Sequence, residues 1–107
     1  MKNLPKRVTN YVVIYDIFSE GREGWSSPSN TRRAKIARLL LEFGIRTQKS
    51  VFEIKVSSSE AKKLFSLLKK RAKEDRDKIY IYPLENRALK KIRRAGKELD
   101  LLNNFYL

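Results

Sequence analysis

Asp16 is the residue whose type and place best suit chemistry. It closes the run Tyr11-Val12-Val13-Ile14-Tyr15-Asp16-Ile17 and falls on the same strand face as Val12 and Ile14. A carboxylate there is costly to bury unless a cation or hydrogen bonds compensate it. Most of the other acids sit in helical, loop or charge-rich stretches, where a solvated side chain needs no explanation. Two readings of Asp16 stand side by side: it holds a metal ion, or it caps the following loop by accepting from backbone N–H groups. The rest of the inventory narrows the chemistry. The chain has no His and no Cys. That removes an imidazole base, a Ser-His-Asp triad, a thiolate nucleophile, an iron–sulfur cluster and zinc held by His or Cys. A metal would be bound by oxygen, which points to magnesium, with manganese as the alternative. Water on such a metal is then the most available nucleophile for a phosphodiester. One carboxylate does not make a magnesium site, but a two-fold dimer would bring two Asp16 side chains together.

The charge balance says what such a site would act on. Lys and Arg total 25 against 12 Asp and Glu, a formal charge of +13 over 107 residues. Residues 1–30 hold four bases and three acids, so the excess lies in the body of the chain rather than in a basic N-terminal tail. A folded surface this basic attracts polyanions, and phosphate contacts release condensed counterions. A solvated, highly charged surface on a protein with another task is the blander reading. A membrane is the weaker rival, because the helical stretches carry core stripes rather than an interfacial pattern. No run of about 18 apolar residues suggests a membrane span. Met1 to Asn10 lacks the apolar core of a signal peptide. A cytoplasmic location is the simplest expectation, and the missing Cys agrees with it.

The elements that must position Asp16 follow from periodicity. Residues 1–9 read as a flexible lead-in. Tyr11 to Ile17 is β-branched or aromatic at nearly every position and continuous, as in a central strand buried on both faces. Residues 19–30, with Trp25, read as a long mobile loop. A helix is expected from Thr31 to Phe43, with Asn30 or Ser29 as N-cap, Gly44 as stop, and Ile36, Leu39, Leu40 and Phe43 as its apolar stripe. Arg32, Arg33, Lys35 and Arg38 fall mostly off that stripe and form a basic face. Residues 46–56 look extended, with Phe52, Ile54 and Val56 on one side. Ser57 and Glu60 form a capping box for a helix to about Lys73, with Ala61, Leu64, Leu68 and Ala72 as its stripe. Lys78 to Tyr82 alternates with period two and stops at Pro83. Residues 84–107 begin with a short helix through Ile92, end in Phe105-Tyr106-Leu107, and need a partner surface. If the extended stretch is two strands, the order is the βαββαβ of a single ferredoxin-like α+β domain, with an extra C-terminal strand or short helix used in dimerisation.

Four segments, in this order, resemble a known family: YVVIYDI (11–17), TRRAKIARLLLEFG (31–44), QKSVFE (48–53) and DKIYIYPL (77–84). They look like the second CRISPR-associated protein, the small partner of the prokaryotic spacer integrase. The resemblance covers roughly residues 10 to 107. It implies a ferredoxin-like homodimer whose C-terminal strand crosses to the partner sheet. It also implies a metal-dependent endoribonuclease, with double-stranded DNA as substrate for some members. Asp16 then binds magnesium at the dimer interface and, with Tyr15 before it in the motif, is implied to be catalytic. Arg32 and Arg33 match the basic helix start that contacts phosphate, and Gln48, Ser50 and Phe52 match the motif near the cleft. The loop after Asp16 is longer than usual for the family, and the lead-in is extra.

Each of these residues has a plainer reading. Tyr15 reads as packing before chemistry. Ser50 has no adjacent base and suits a turn or interface hydrogen bond. Phe52 could stack on a base, yet its face with Ile54 and Val56 argues for core or interface. Function divides between a magnesium-dependent nuclease and a non-catalytic adaptor that holds integrase and nucleic acid together. An RNA-binding module and a ribosomal protein fit charge and size, but the first lacks the RNP1 pattern and the second gives Asp16 no task.

Overall fold

The rich supply of β-branched and aromatic residues in 8–16 produces the first strand, β1 (Val8–Asp16), two residues earlier than the lead-in was expected to end. The computed structural model describes residues 7–19 and 27–97. Helix α1 (Pro28–Leu41) follows, then strands β2 (Gly44–Gln48) and β3 (Val51–Ser57), helix α2 (Ser58–Arg71), strand β4 (Lys78–Leu84) and the short helix α3 (Asn86–Lys90). The sheet order is β2-β3-β1-β4, and every neighbouring pair is antiparallel. This is the ferredoxin-like α+β arrangement, with the extended 46–56 stretch resolved into two strands as the pattern required.

Helices α1 and α2 pack on one face of the sheet. The core joins Val13, Tyr15 and Ile17 with Ile36, Leu39 and Leu40 of α1, Phe52, Ile54 and Val56 of β3, and Ala61, Leu64 and Leu68 of α2. The alternate β1 residues face the other way, on the side opposite α1 and α2; among the described residues that face is open at the Ile14 end, while near Asn10, which is buried, Arg94 reaches across to Glu53. Ile14 is 41% exposed, and Tyr80 and Tyr82 of β4 are exposed on the same side. A continuous apolar strand therefore does not here mean burial on both faces within one chain: β1 is central by ladder, and half open by packing.

Local chemistry explains the remaining departures. α1 starts three residues early because Ser27, not Ser29 or Asn30, is the N-cap, its hydroxyl accepting from Asn30 N, with Pro28 in the first turn. Pro has no N–H to leave unsatisfied there. Residues 28–30 thus belong to the helix rather than to the loop. Gly44 does not stop the helix but opens β2. A Cβ there would collide with the Glu53 carbonyl oxygen, so glycine is what lets β2 approach β3 this closely. The Ser57–Glu60 capping box forms as expected, in both directions. β4 runs through Pro83, which stands opposite Tyr11. At a sheet edge the missing N–H interrupts no second ladder. Trp25, the first six residues and the Phe105-Tyr106-Leu107 end lie outside the described residues.

Candidate functional site

Asp16 is the last residue of β1 and is exposed on the open face of the sheet. Its cross-strand neighbour in register is Lys78 of β4. The carboxylate is therefore not a buried charge in need of compensation, as its apolar strand suggested. It borders the uncovered face that carries Ile14 and Tyr80, and magnesium suits such a position. That ion keeps several waters and takes one or two carboxylates together with substrate phosphate. Among the described residues no group of three Asp or Glu could enclose a metal. The fit is one oxygen-donating side chain per chain, open to solvent and substrate.

Tyr15, the adjacent residue, points to the opposite face and is 4% exposed. Its ring stacks on Phe52, centroids 6.2 Å apart, and its hydroxyl donates to the Lys49 carbonyl oxygen at 3.2 Å. Burial raises the phenol's pKa above its ordinary value, against the lowering influence of Arg46 and Arg33. A neutral hydroxyl spent on a backbone carbonyl neither attacks nor abstracts a proton, so geometry gives Tyr15 a packing role rather than the catalytic one. Phe52 is fully buried, which removes base stacking and leaves the core. Ser50 lies in the β2–β3 turn, and its carbonyl oxygen accepts from Tyr15 N at 3.1 Å.

The four bases of α1 divide three ways. Arg32 is 7% exposed, and its guanidinium is committed to Asp77: Nε to Oδ2 at 2.8 Å, Nη2 to Oδ1 at 3.1 Å. This corrects its assignment to phosphate, because a buried two-point ion pair has no donor fork to offer a ligand. Arg33 reaches back over the end of β1 and donates from Nη2 to the Ile17 carbonyl oxygen at 3.1 Å. It also lines a cavity of about 650 Å³ with Tyr15, Arg46, Thr47, Gln48, Lys49 and Ser50. Lys35 and Arg38 are exposed and share a smaller depression, of about 400 Å³, with Arg71 of α2. They remain available to a phosphate backbone. Gln48 is exposed at the end of β2 and faces the cavity.

Three residues emerge that the sequence alone did not single out: Arg46, Lys49 and Asp77. Arg46 donates from Nε to the Lys49 carbonyl oxygen at 2.9 Å and lies 5.6 Å above the Phe52 ring. With Arg33 and Lys49 it makes the cavity cationic. Asp77 takes the loop-capping role that had been open to Asp16: its Oδ1 accepts from Phe18 N at 2.9 Å and its Oδ2 from Lys73 N at 2.8 Å. Its side chain is fully buried. Burial alone would raise its pKa, but the hydrogen bonds from Arg32, Lys73 N and Phe18 N and the Arg32 charge outweigh it, and the carboxyl is held below its usual value. Asp77 hid in a charge-rich run, although it opened one of the four segments that carried the resemblance.

Comparison with known proteins agrees with this geometry. A family profile described as "CRISPR associated protein Cas2" matches residues 9–92. A CRISPR-associated endoribonuclease Cas2 of Synechocystis is 35% identical over 82 residues, covering 77% of this chain and 78% of that protein. One from Moorella thermoacetica is 34% identical over 92 residues, covering 85% and 91%. Among solved structures, Streptococcus pyogenes Cas2 superposes with a TM-score of 0.69 at 26% identity, covering 81% of this chain and 99% of that one. A hypothetical protein from Thermus thermophilus superposes with a TM-score of 0.62 at 30% identity, covering 75% and 85%. Sheet order, the Asp16 strand end and the matched span converge on one conclusion: this chain belongs to the Cas2 family of CRISPR-associated proteins.

Proposed function

We propose that the chain is a CRISPR-associated, magnesium-dependent endonuclease of the endoribonuclease type, working as a homodimer in the prokaryotic cytoplasm during spacer acquisition. The observation that carries the reading is Asp16: an exposed carboxylate at the end of a central strand, on the sheet face opposite α1 and α2, in a family whose matched relatives are named endoribonucleases. The open face, with Ile14, Tyr80 and Tyr82 exposed, suits a second copy of the chain, which would bring a second Asp16 to the same place. Magnesium held there would supply Lewis-acid neutralisation of phosphate charge. Manganese meets the same oxygen-donor requirement.

The chain's own residues supply the rest. Asp16 provides the negative oxygen donors. The Arg33, Arg46 and Lys49 group, around the cavity that Tyr15 also lines, supplies positive field for an RNA or DNA backbone, and the exposed Lys35 and Arg38 add a second basic surface on the helix side of the sheet. Incubation of a ribo-oligonucleotide with the dimer, with and without magnesium, tests the reading. Cleavage that requires magnesium and disappears in Asp16→Ala supports it, and equal cleavage by a folded, dimeric Asp16→Ala protein sinks it.

The +13 charge favours a second role for the same dimer, a scaffold that joins the integrase to nucleic acid without cleaving it. That role needs the basic surface and not Asp16. Spacer acquisition in cells carrying Asp16→Ala separates the two: retention points to scaffolding, loss to chemistry.

A further inference from the structure

β1 loses its ladder where its carboxylate sits. On the β3 side the register ends at Ile14 opposite Val51, and on the β4 side at Asp16 opposite Lys78. Asp16 is thus the last residue held by a strand neighbour, and only on one side. The backbone beyond it is fixed by side chains instead. The Ile17 carbonyl oxygen accepts from Arg33 Nη2 at 3.1 Å, the Phe18 N–H donates to Asp77 Oδ1 at 2.9 Å, and the Phe18 carbonyl oxygen accepts from Arg32 Nη2 at 3.3 Å. The Phe18 side chain adds only a surface contact, since the residue is 52% exposed and its ring meets the Arg76 guanidinium at 5.8 Å. Arg32 and Asp77 in turn hold each other by two N–H···O contacts, with the Asp77 Oδ2 also accepting from Lys73 N. One buried carboxylate therefore ties together the end of β1, the first turns of α1 and the residue before β4.

We infer that Asp77, acting through Arg32 and the Phe18 backbone, is a positioning residue for Asp16: the clamp sets the direction in which the Asp16 carboxylate leaves the sheet. The inference rests on the nuclease reading for its consequence, and on the hydrogen bonds above for its geometry. Productive sites hold their groups within about 0.5 Å, and a misplacement of about 1 Å can reduce rate on the order of a hundredfold. Neither Asp77 nor Arg32 faces the open side where substrate would lie. Loosening the clamp should therefore act on turnover and metal affinity rather than on nucleic-acid binding.

The test uses the full chain with Asp77→Asn, which keeps the shape and an oxygen for Phe18 N but turns an NH2 group toward Arg32 Nε and Lys73 N. Arg32→Lys, which keeps the charge and loses the two-point contact, is the second variant. Three readouts are compared: cleavage of a ribo-oligonucleotide, a manganese titration followed by paramagnetic broadening of the Asp16 and Ile17 amide signals, and amide hydrogen exchange. The clamp predicts a kcat lower by about tenfold or more with KM within about twofold. It predicts a manganese midpoint raised several-fold, and faster exchange at Phe18 while Phe52 and Ile54 keep their protection. A pair that merely stabilises the fold leaves kcat and the manganese midpoint of the folded variants within about twofold of wild type, and that result overturns the inference. If wild type cleaves nothing in magnesium, the nuclease reading fails on its own, and the manganese midpoint and Phe18 exchange still decide the clamp. If Asp77→Asn does not fold, Arg32→Lys gives the same three readouts.

Discussion

Arg32 and Asp77, 45 residues apart in the chain, meet in a buried two-point ion pair with Nε–Oδ2 2.8 Å and Nη2–Oδ1 3.1 Å. Removing Arg32 takes from a buried carboxylate the only cation paired with it among the described residues, and leaves it the Phe18 and Lys73 N–H donors. Arg32→Ala is therefore expected to destabilise the fold by about 3–5 kcal/mol, a large share of a small domain's total stability. Arg38→Ala, on the exposed side of the same helix, should stay within about 0.5 kcal/mol of wild type. Urea unfolding of both variants checks the contrast, and equal midpoints would contradict the assignment of Arg32 to the interior.

The same pair gives stability an acid limb. Asp77 is held below its ordinary pKa in the folded protein, so the unfolded chain takes up the proton first as pH falls. Its contribution is fully present above the ordinary carboxylate value of about 4 and is lost as pH drops through the lower folded value. The stability gap between wild type and Asp77→Asn should then be constant from about pH 7 to 5 and shrink below about pH 4. A gap that widens in acid would reverse the sign of the argument.

Tyr15 separates packing from chemistry. Tyr15→Phe keeps the stack on Phe52 and loses one hydrogen bond to the Lys49 carbonyl oxygen, so a loss of about 1 kcal/mol is expected. Tyr15→Ala also opens a cavity and should lose about 3–5 kcal/mol. Magnesium-dependent cleavage should survive Tyr15→Phe to within a few-fold; a collapse of turnover in a stable Tyr15→Phe protein would restore the hydroxyl to the mechanism.

Much of this arrangement could be read from the chain because it is written locally. The Ser57–Glu60 box, the Ile36-Leu39-Leu40 stripe and the alternation of Lys78 to Tyr82 each depend on neighbours within a few residues. What stayed hidden depends on tertiary partners. β1 carries apolar residues on both faces, Val12 and Ile14 against Val13 and Tyr15, so no pattern told which side the helices would cover. Arg32 and Arg33 are adjacent and chemically alike. Only the position of Asp77 decides that one goes inside while the other reaches Ile17 O and the cavity. Asp77 sits in a stretch of alternating charges, where a solvated reading is the natural one.

Gly44 offers a sterically simple test of the β2–β3 approach. Gly44→Ala places a methyl against the Glu53 carbonyl oxygen and the Ile54 side chain, neither of which can yield without moving β3. A destabilisation of about 1–3 kcal/mol is expected. Gly96, with a positive φ and open space around it, makes the comparison: Ala there strains only its own backbone. Thermal unfolding of the two variants should put Gly44→Ala clearly lower.

Salt dependence locates the nucleic-acid path. With 25 Lys and Arg against 12 acids, binding to a duplex should weaken linearly in log K against log salt. Each phosphate contact contributes about 0.9 to that slope on B-DNA and about 0.7 on a single strand. Lys35 and Arg38 are exposed together on α1, beside Arg71 of α2. Replacing both by Ala should lower the slope by about 1.4 to 1.8, one increment for each lost contact. Asp16→Ala should leave the slope unchanged, because a metal-binding carboxylate neutralises no phosphate itself. If the double variant keeps the wild-type slope while loss of Arg33 and Lys49 reduces it, the backbone runs past the cationic cavity rather than along the outer surface of α1.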